Sequence, residues 1–169
     1  KDRKEYALSL LGDYQLDNAM VICEAIDYLK SIGFRIPEDA VKLGLYTTEW
    51  KGRFEVLKKN PLIVLDGAHN PHAIKALLAT LEERFADYHK EILFTCIKTK
   101  ALEDMLDLLG TLPDTELTLT HFDDGRATDE EVLKKVAYSR NLNYKSWQEF
   151  LDQKITENEE KKTVRIVTG

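Results

Sequence analysis

No two of the eight glycines in this 169-residue sequence stand at the spacings of G-x-x-x-x-G-K-[ST] or G-x-G-x-x-G. The chain by itself therefore has no phosphate loop for a magnesium nucleotide and no dinucleotide fingerprint. H-E-x-x-H and G-x-S-x-G are missing too, which removes the simplest zinc-hydrolase and nucleophile-elbow readings. Cysteine is scarce: Cys23 and Cys96 lie far apart in apolar runs, with no C-x-x-C pair. They read as buried thiols of a reducing, cytoplasmic compartment, and no metal ligand is assigned to the chain. No apolar stretch approaches the roughly 20 residues that span a bilayer, so no membrane partner is expected. The net charge is −6, without basic runs or interleaved aromatics, which argues against nucleic acid.

With 43% hydrophobic and 32% charged residues, the chain can bury a full core. Its length suits one domain with a small appendage. It opens on Lys1 and stops at Val167-Thr-Gly169 straight after a strand-like run, so it reads as a piece of a longer protein. Residues 1–50 are expected to be a linker strand and helices, and 51–169 an α/β domain.

The pattern is clearest around Leu62-Ile-Val-Leu-Asp-Gly-Ala-His-Asn-Pro-His72. Leu62 to Leu65 is a short apolar run after Asn60-Pro61, as in a buried strand of a parallel sheet. Ile74, Leu77, Leu78, Leu81 and Phe85 then follow the rhythm of one helix face. Asn70 is a cap and Pro71 the first helical residue. Upstream, Tyr6 to Leu11 suggests an edge strand and Leu16 to Ile32 a helix with Asp17 as cap. A short helix runs from Pro37 to Tyr46, and a strand starts near Arg53. Downstream, strands are expected at Glu91–Ile97, Glu116–Phe122, Tyr144–Trp147 and Thr163–Thr168. Helices are expected at 102–109, at Asp129–Ser139 behind a Thr128 cap, and at Gln148–Thr156. Strand–helix alternation at these lengths predicts a Rossmann-like, doubly wound, mostly parallel sheet with helices on both faces.

In such sheets ligands bind beyond the carboxyl ends of the strands, and a helix N-terminus favours anions. Asp66 there can accept the hydroxyls of a ribose, and His69 can donate to a phosphate oxygen or position a nucleophile. Gly67 admits close backbone approach. Arg53, beside Gly52, suits a bidentate clamp on phosphate or carboxylate. Gln15 and Asn18 offer amides that could read a purine edge. Lys98, Lys100, His121 and Arg126 lie in two further loops at the same edge of the sheet and could face an anion. Each has a plainer alternative, namely a local turn or cap, or a solvated cation. His72, His89 and the acidic run 157–160 read as surface.

GDYQLDNA, WKGRFEV, PLIVLDGAHNP, IKTKALEDML and a terminal IVTG occur in the order seen in folylpolyglutamate and dihydrofolate synthases of the Mur ligase superfamily. Over nearly its whole length the chain resembles the C-terminal domain of those enzymes with the helices leading into it. It departs from the family pattern at Tyr14, where histidine is frequent, and at Lys98-Thr-Lys-Ala101, which lacks two acids. The resemblance implies ATP-dependent joining of L-glutamate to the γ-carboxylate of a folate through an acyl phosphate. It implies Asn18 at the adenine with Gln15 nearby, and Arg53 at the terminal phosphates across an interdomain cleft. Asp66 would hold the ribose or orient its neighbours, and His69 would meet the γ-phosphate or the incoming glutamate. ATP and Mg2+ are implied as cofactors, with the metal ligands in an N-terminal ATPase domain that partners this one. Another Mur-type amino-acid ligase, or a non-catalytic nucleotide- or anion-binding module of the same fold, remains the alternative.

Overall fold

The computed structural model describes residues 4–98, 101–154 and 162–169. Six strands form one sheet in the order β1-β2-β6-β3-β4-β5. They are β1 (Glu55–Lys59), β2 (Leu62–Asp66), β3 (His89–Phe94), β4 (Thr115–Leu119), β5 (Asn143–Tyr144) and β6 (Thr163–Thr168). Every neighbouring pair is parallel except β1 and β2, which a tight turn with a cis Asn60–Pro61 bond makes antiparallel. The helices are α1 (Tyr14–Ser31), α2 (Glu38–Thr47), α3 (Pro71–Arg84), α4 (Leu102–Leu109), α5 (Glu130–Ser139) and α6 (Trp147–Asp152).

The connections β2-α3-β3, β3-α4-β4 and β4-α5-β5 all step the same way along the sheet, so right-handed crossovers put α3, α4 and α5 on one face. The return through α6 to β6 lies on the other. Arg165 of β6 reaches that face, donating from Nη1 to the carbonyls of Leu151 and Gln153 at 3.1 Å each and pairing with Glu91. Its guanidinium also lies 4.8 Å from the centre of the Phe150 ring. Val64, Ile92, Val164 and Ile166 from the strands pack with Ile74, Leu77, Leu81, Met105, Leu106, Leu109 and Leu133 from the helices, all buried. The doubly wound architecture expected from the strand–helix alternation is therefore present.

The differences are local. Tyr6 to Leu11 is irregular rather than an edge strand. Asp13, not Asp17, stands at the start of α1, and Asp129, not Thr128, at the start of α5; neither aspartate caps through its side chain. The Thr128 hydroxyl instead meets Cys96 Sγ at 3.3 Å. Trp147 opens α6 rather than ending a strand, because Ser146 and Glu149 form a reciprocal capping box. The expected end of that helix, at 155–156, and the acidic run 157–160 lie outside the described residues. Cys96 is buried as expected, while Cys23 is only half-buried.

The core cluster contains no residue before Phe54. Instead α1 and α2 expose Leu16, Met20, Val21, Tyr28, Leu43 and Tyr46, with Met20 63% and Val21 69% accessible. The sheet does not cover these apolar side chains.

Candidate functional site

Strand β2 is short and apolar until Asp66, where the chain turns. Asp66 is only 5% exposed, and its carboxylate is already engaged. Oδ1 accepts the Ala68 N–H at 2.9 Å, and Oδ2 accepts the Phe54 N–H at 2.8 Å. The Tyr14 hydroxyl donates weakly to Oδ2 at 3.5 Å. Burial pushes the Asp66 carboxyl above the ordinary aspartate range, while the two amides, Arg53 and Tyr14 oppose the shift. Burial likewise raises the Tyr14 hydroxyl, with the Asp66 charge adding to it. One side chain thus ties together three segments: the start of α1, the turn before β1 and the turn after β2.

Gly67 serves a close approach, but the backbone that comes near is protein. Its N–H donates to Gly52 O at 2.8 Å, and a Cβ on Gly67 would sit 3.3 Å from that oxygen. The next residues behave as their types dictate. His69 is exposed, with ring Nδ1 2.8 Å from Gly67 O. A protein carbonyl can only accept, so Nδ1 carries the proton and Nε2 is left for a ligand. Asn70 caps α3 by accepting the Ala73 N–H at 2.9 Å, and Pro71 takes the first helical position.

Arg53 makes no ion pair or hydrogen bond through its guanidinium among the described residues, and it is exposed on the wall of a cavity of about 660 Å³. That volume lies within the roughly 300–1,000 Å³ of small-molecule sites. Asp66, Gln15 and Asn18 share the wall with it. Gln15 is 7% exposed, and its Oε1 accepts from Asn18 Nδ2 at 2.9 Å. This bond fixes the orientation of both amides and leaves Asn18 Oδ1 unspent, while the Gln15 side chain also meets the Tyr14 hydroxyl. Apolar wall is supplied by Leu10, Val21, Ile22 and Trp50. The cavity therefore combines an amide pair, apolar flanks and one free guanidinium, which suits a base at one end and an anion at the other.

Other expected residues fall elsewhere. His69 does not line this cavity. Lys98 pairs with Asp129 at 2.9 Å, and Arg126 is held by both oxygens of Asp124 at 3.0 and 2.9 Å. The Arg126 pairing holds Asp124 down at about 2. These two cations belong to adjoining loops, joined by the Lys98 N–H donating to Arg126 O at 2.7 Å, and each already has a counter-ion. Lys100 lies outside the described residues. His121 turns inward, Nδ1 3.1 Å from Thr128 O. His72, read from the sequence as plain surface, lines the cavity beside Ala73. Its position, second in a helix that starts at a strand's carboxyl end, was the signal that could have found it. Trp50, two residues before Gly52, was passed over as well. Among the described residues no three His, Cys, Asp or Glu side chains gather to hold a metal ion.

The fold is that of a ligase domain. The glutamate ligase domain of the Mur ligases matches residues 52–169, and the chain belongs to that family. The dihydrofolate synthase/folylpolyglutamate synthase of Bacillus subtilis is 30% identical over 165 residues, covering 95% of this chain and 37% of that protein. Mycobacterium tuberculosis folylpolyglutamate synthase complexed with ADP and AMPPCP superimposes with a TM-score of 0.81 at 24% identity, over 98% of this chain and 39% of the other. Folylpolyglutamate synthase from Thermotoga maritima does so at 0.76 and 25%, over 100% and 38%. The chain spans less than two-fifths of the length of each of these three relatives.

Proposed function

We propose that the chain is the C-terminal part of an ATP-dependent ligase of the folylpolyglutamate synthase type, joining L-glutamate to the γ-carboxylate of a folate. The observation that carries this reading is the unpaired Arg53 guanidinium on a cavity that also presents the Gln15–Asn18 amide pair. The adenine lies against those amides between the apolar flanks. The phosphates run toward Arg53, whose fork matches phosphate oxygens in pairs. Asp66 holds the turns on either side and, from the cavity wall, takes a ribose hydroxyl in place of its long contact to Tyr14.

The folate carboxylate attacks the γ-phosphorus, the bond to the β-bridging oxygen breaks, and ADP leaves. The glutamate amine then attacks the acyl carbon of the mixed anhydride and phosphate departs. Both steps spread negative charge that a fixed cation stabilises. Arg53 supplies it at the phosphates. His69 Nε2, held outward by the Nδ1–Gly67 bond, meets the γ-phosphate or the incoming glutamate. Gly67, Asn70 and Pro71 keep that turn and the helix behind it in place. Lys98, Lys100 and Arg126 remain candidates for substrate carboxylates, provided that Lys98 and Arg126 exchange their present partners.

A second domain of the same protein faces this one, with residues 1–50 leading into it. The uncovered apolar faces of α1 and α2 support that reading, since a stripe of Leu16, Met20 and Val21 in water is what a missing neighbour would bury. Mg2+ and the phosphate loop are assigned to that domain, and closure of the two would keep water from the acyl phosphate. Among the described residues no helix is long and apolar enough to cross a membrane, and a cytoplasmic location suits the folate substrate.

The test is incorporation of labelled glutamate into a reduced folate by the full-length protein. Other amino acids and acceptors run alongside separate this ligase from other members of the superfamily. Incorporation confined to a different amino acid or acceptor would overturn the folate assignment.

A further inference from the structure

Arg53 sits between two residues with backbone angles that L side chains rarely adopt: φ is +71° at Gly52 and +47° at Phe54. Such a turn persists only where its surroundings over-determine it. Besides the Arg53 N–H donating to Trp50 O at 3.3 Å within the turn, three hydrogen bonds brace it. Asp66 accepts the Phe54 N–H at 2.8 Å, and Gly52 O accepts the Gly67 N–H at 2.8 Å. The third comes from Glu55, whose Oε2 accepts the Gly52 N–H at 2.7 Å. Glu55 is half-buried at the first position of β1, opposite Leu65 and so one register step from Asp66.

The arginine also stands on a boundary. It lines the cavity of about 660 Å³ and a second one of about 370 Å³, and Glu55 lines only the second. A free carboxylate there would be an obvious partner for the guanidinium. The two form no ion pair, and the Gly52 amide holds the carboxylate instead.

We propose that Glu55 is a positioning residue for Arg53. By holding the Gly52 N–H it closes the turn on the side that Asp66 does not reach, and it fixes the direction from which the guanidinium enters the larger cavity. A hydrogen bond to a charged acceptor is about twice as strong as a neutral one, which suits it to hold a strained turn. Without it glycine has the widest choice of backbone angles, and Arg53, with no ion pair of its own, swings toward the smaller cavity. The Gln15–Asn18 amides and the guanidinium then no longer span one ligand. This rests on the proposal that Arg53 meets the phosphates.

The experiment measures kcat and KM for ATP, with melting temperature, on the full-length protein and its R53A, E55A, E55Q and R53A/E55A variants. E55A is expected to lose about tenfold in kcat/KM for ATP. E55Q should recover to within about threefold, because an amide oxygen still accepts the Gly52 N–H. In the R53A background, E55A should add less than about twofold, since its effect passes through the arginine. If E55A fails to fold, Glu55→Met keeps the bulk and removes the acceptor. Multiplicative losses in the double variant, or an E55Q as impaired as E55A, overturn the positioning role while leaving the function of Arg53 intact. An R53A enzyme as active as the parent overturns both.

Discussion

At the scale of single residues, Asp66 does two jobs that pull on its charge in opposite directions. Its buried carboxylate satisfies the Phe54 and Ala68 amides, so Asp66→Ala should lower stability by at least about 2 kcal/mol, read by urea unfolding. Burial nevertheless lifts its folded pKa above the unfolded value. The sign follows: its contribution to stability is fully present below the ordinary aspartate range and is lost as pH rises through the folded pKa. Unfolding free energy followed against pH should fall across that window in the wild type and stay flatter in Asp66→Asn. The local turn and cap roles of Asp66, Gly67 and Asn70 were legible because each has a residue type suited to a turn. That Asp66 joins three segments was not, since residues 14, 54 and 66 meet only through the tertiary fold. His72 was passed over for the same reason, because its exposure to solvent and its exposure to a cavity look alike in one dimension.

Among the elements, α3 was the most legible, because cap, proline and apolar rhythm agree and the sheet covers the face they define. Asn70→Ala should weaken the fold by about 1 kcal/mol through loss of the cap. Leu77→Ala should weaken it by roughly 2–5 kcal/mol through the cavity it leaves, both by thermal or urea unfolding. Tyr6 to Leu11 misled because half-alternating residues fit an irregular segment as well as a strand, and only neighbouring strands decide between them. The antiparallel sense of β1 was equally hidden, since it depends on the tight turn at Asn60–Pro61. Near this irregular segment, Glu38 is held at about 2, first by the Tyr6 hydroxyl and then by Lys4. Its folded pKa is depressed, so the contact persists above the ordinary glutamate value and is lost as pH falls through about 2. NMR titration of the Glu38 carboxyl should place the transition there; a midpoint near the ordinary glutamate value would mean that the contact to Tyr6 does not form in solution.

For the whole molecule, the division of labour between halves is written in burial. From Phe54 onward apolar residues converge on one core, whereas α1 and α2 keep Met20, Val21, Leu43 and Tyr46 at the surface. That α1 is a helix was readable from the sequence, but not that its apolar side chains stay uncovered by the sheet, since that is decided only by the tertiary fold. The chain on its own is therefore expected to bind a hydrophobic-surface dye strongly, and the two-domain protein of the proposed reading weakly, as measured by fluorescence titration. Equal binding would mean that the helices stay uncovered and that the two-domain reading is wrong.

The most direct measurement is ATP-dependent ligation of glutamate to a reduced folate by the full-length protein, compared with its Arg53→Ala variant under saturating glutamate and folate. A guanidinium aimed at the transferred phosphoryl group is expected to account for roughly 10²–10³-fold in rate. A loss of that size, with an unchanged melting temperature, places the cavity at the end of β2 in the chemistry. Undiminished ligation by Arg53→Ala would contradict that placement and reduce the turn to a well-braced junction between β2 and α3.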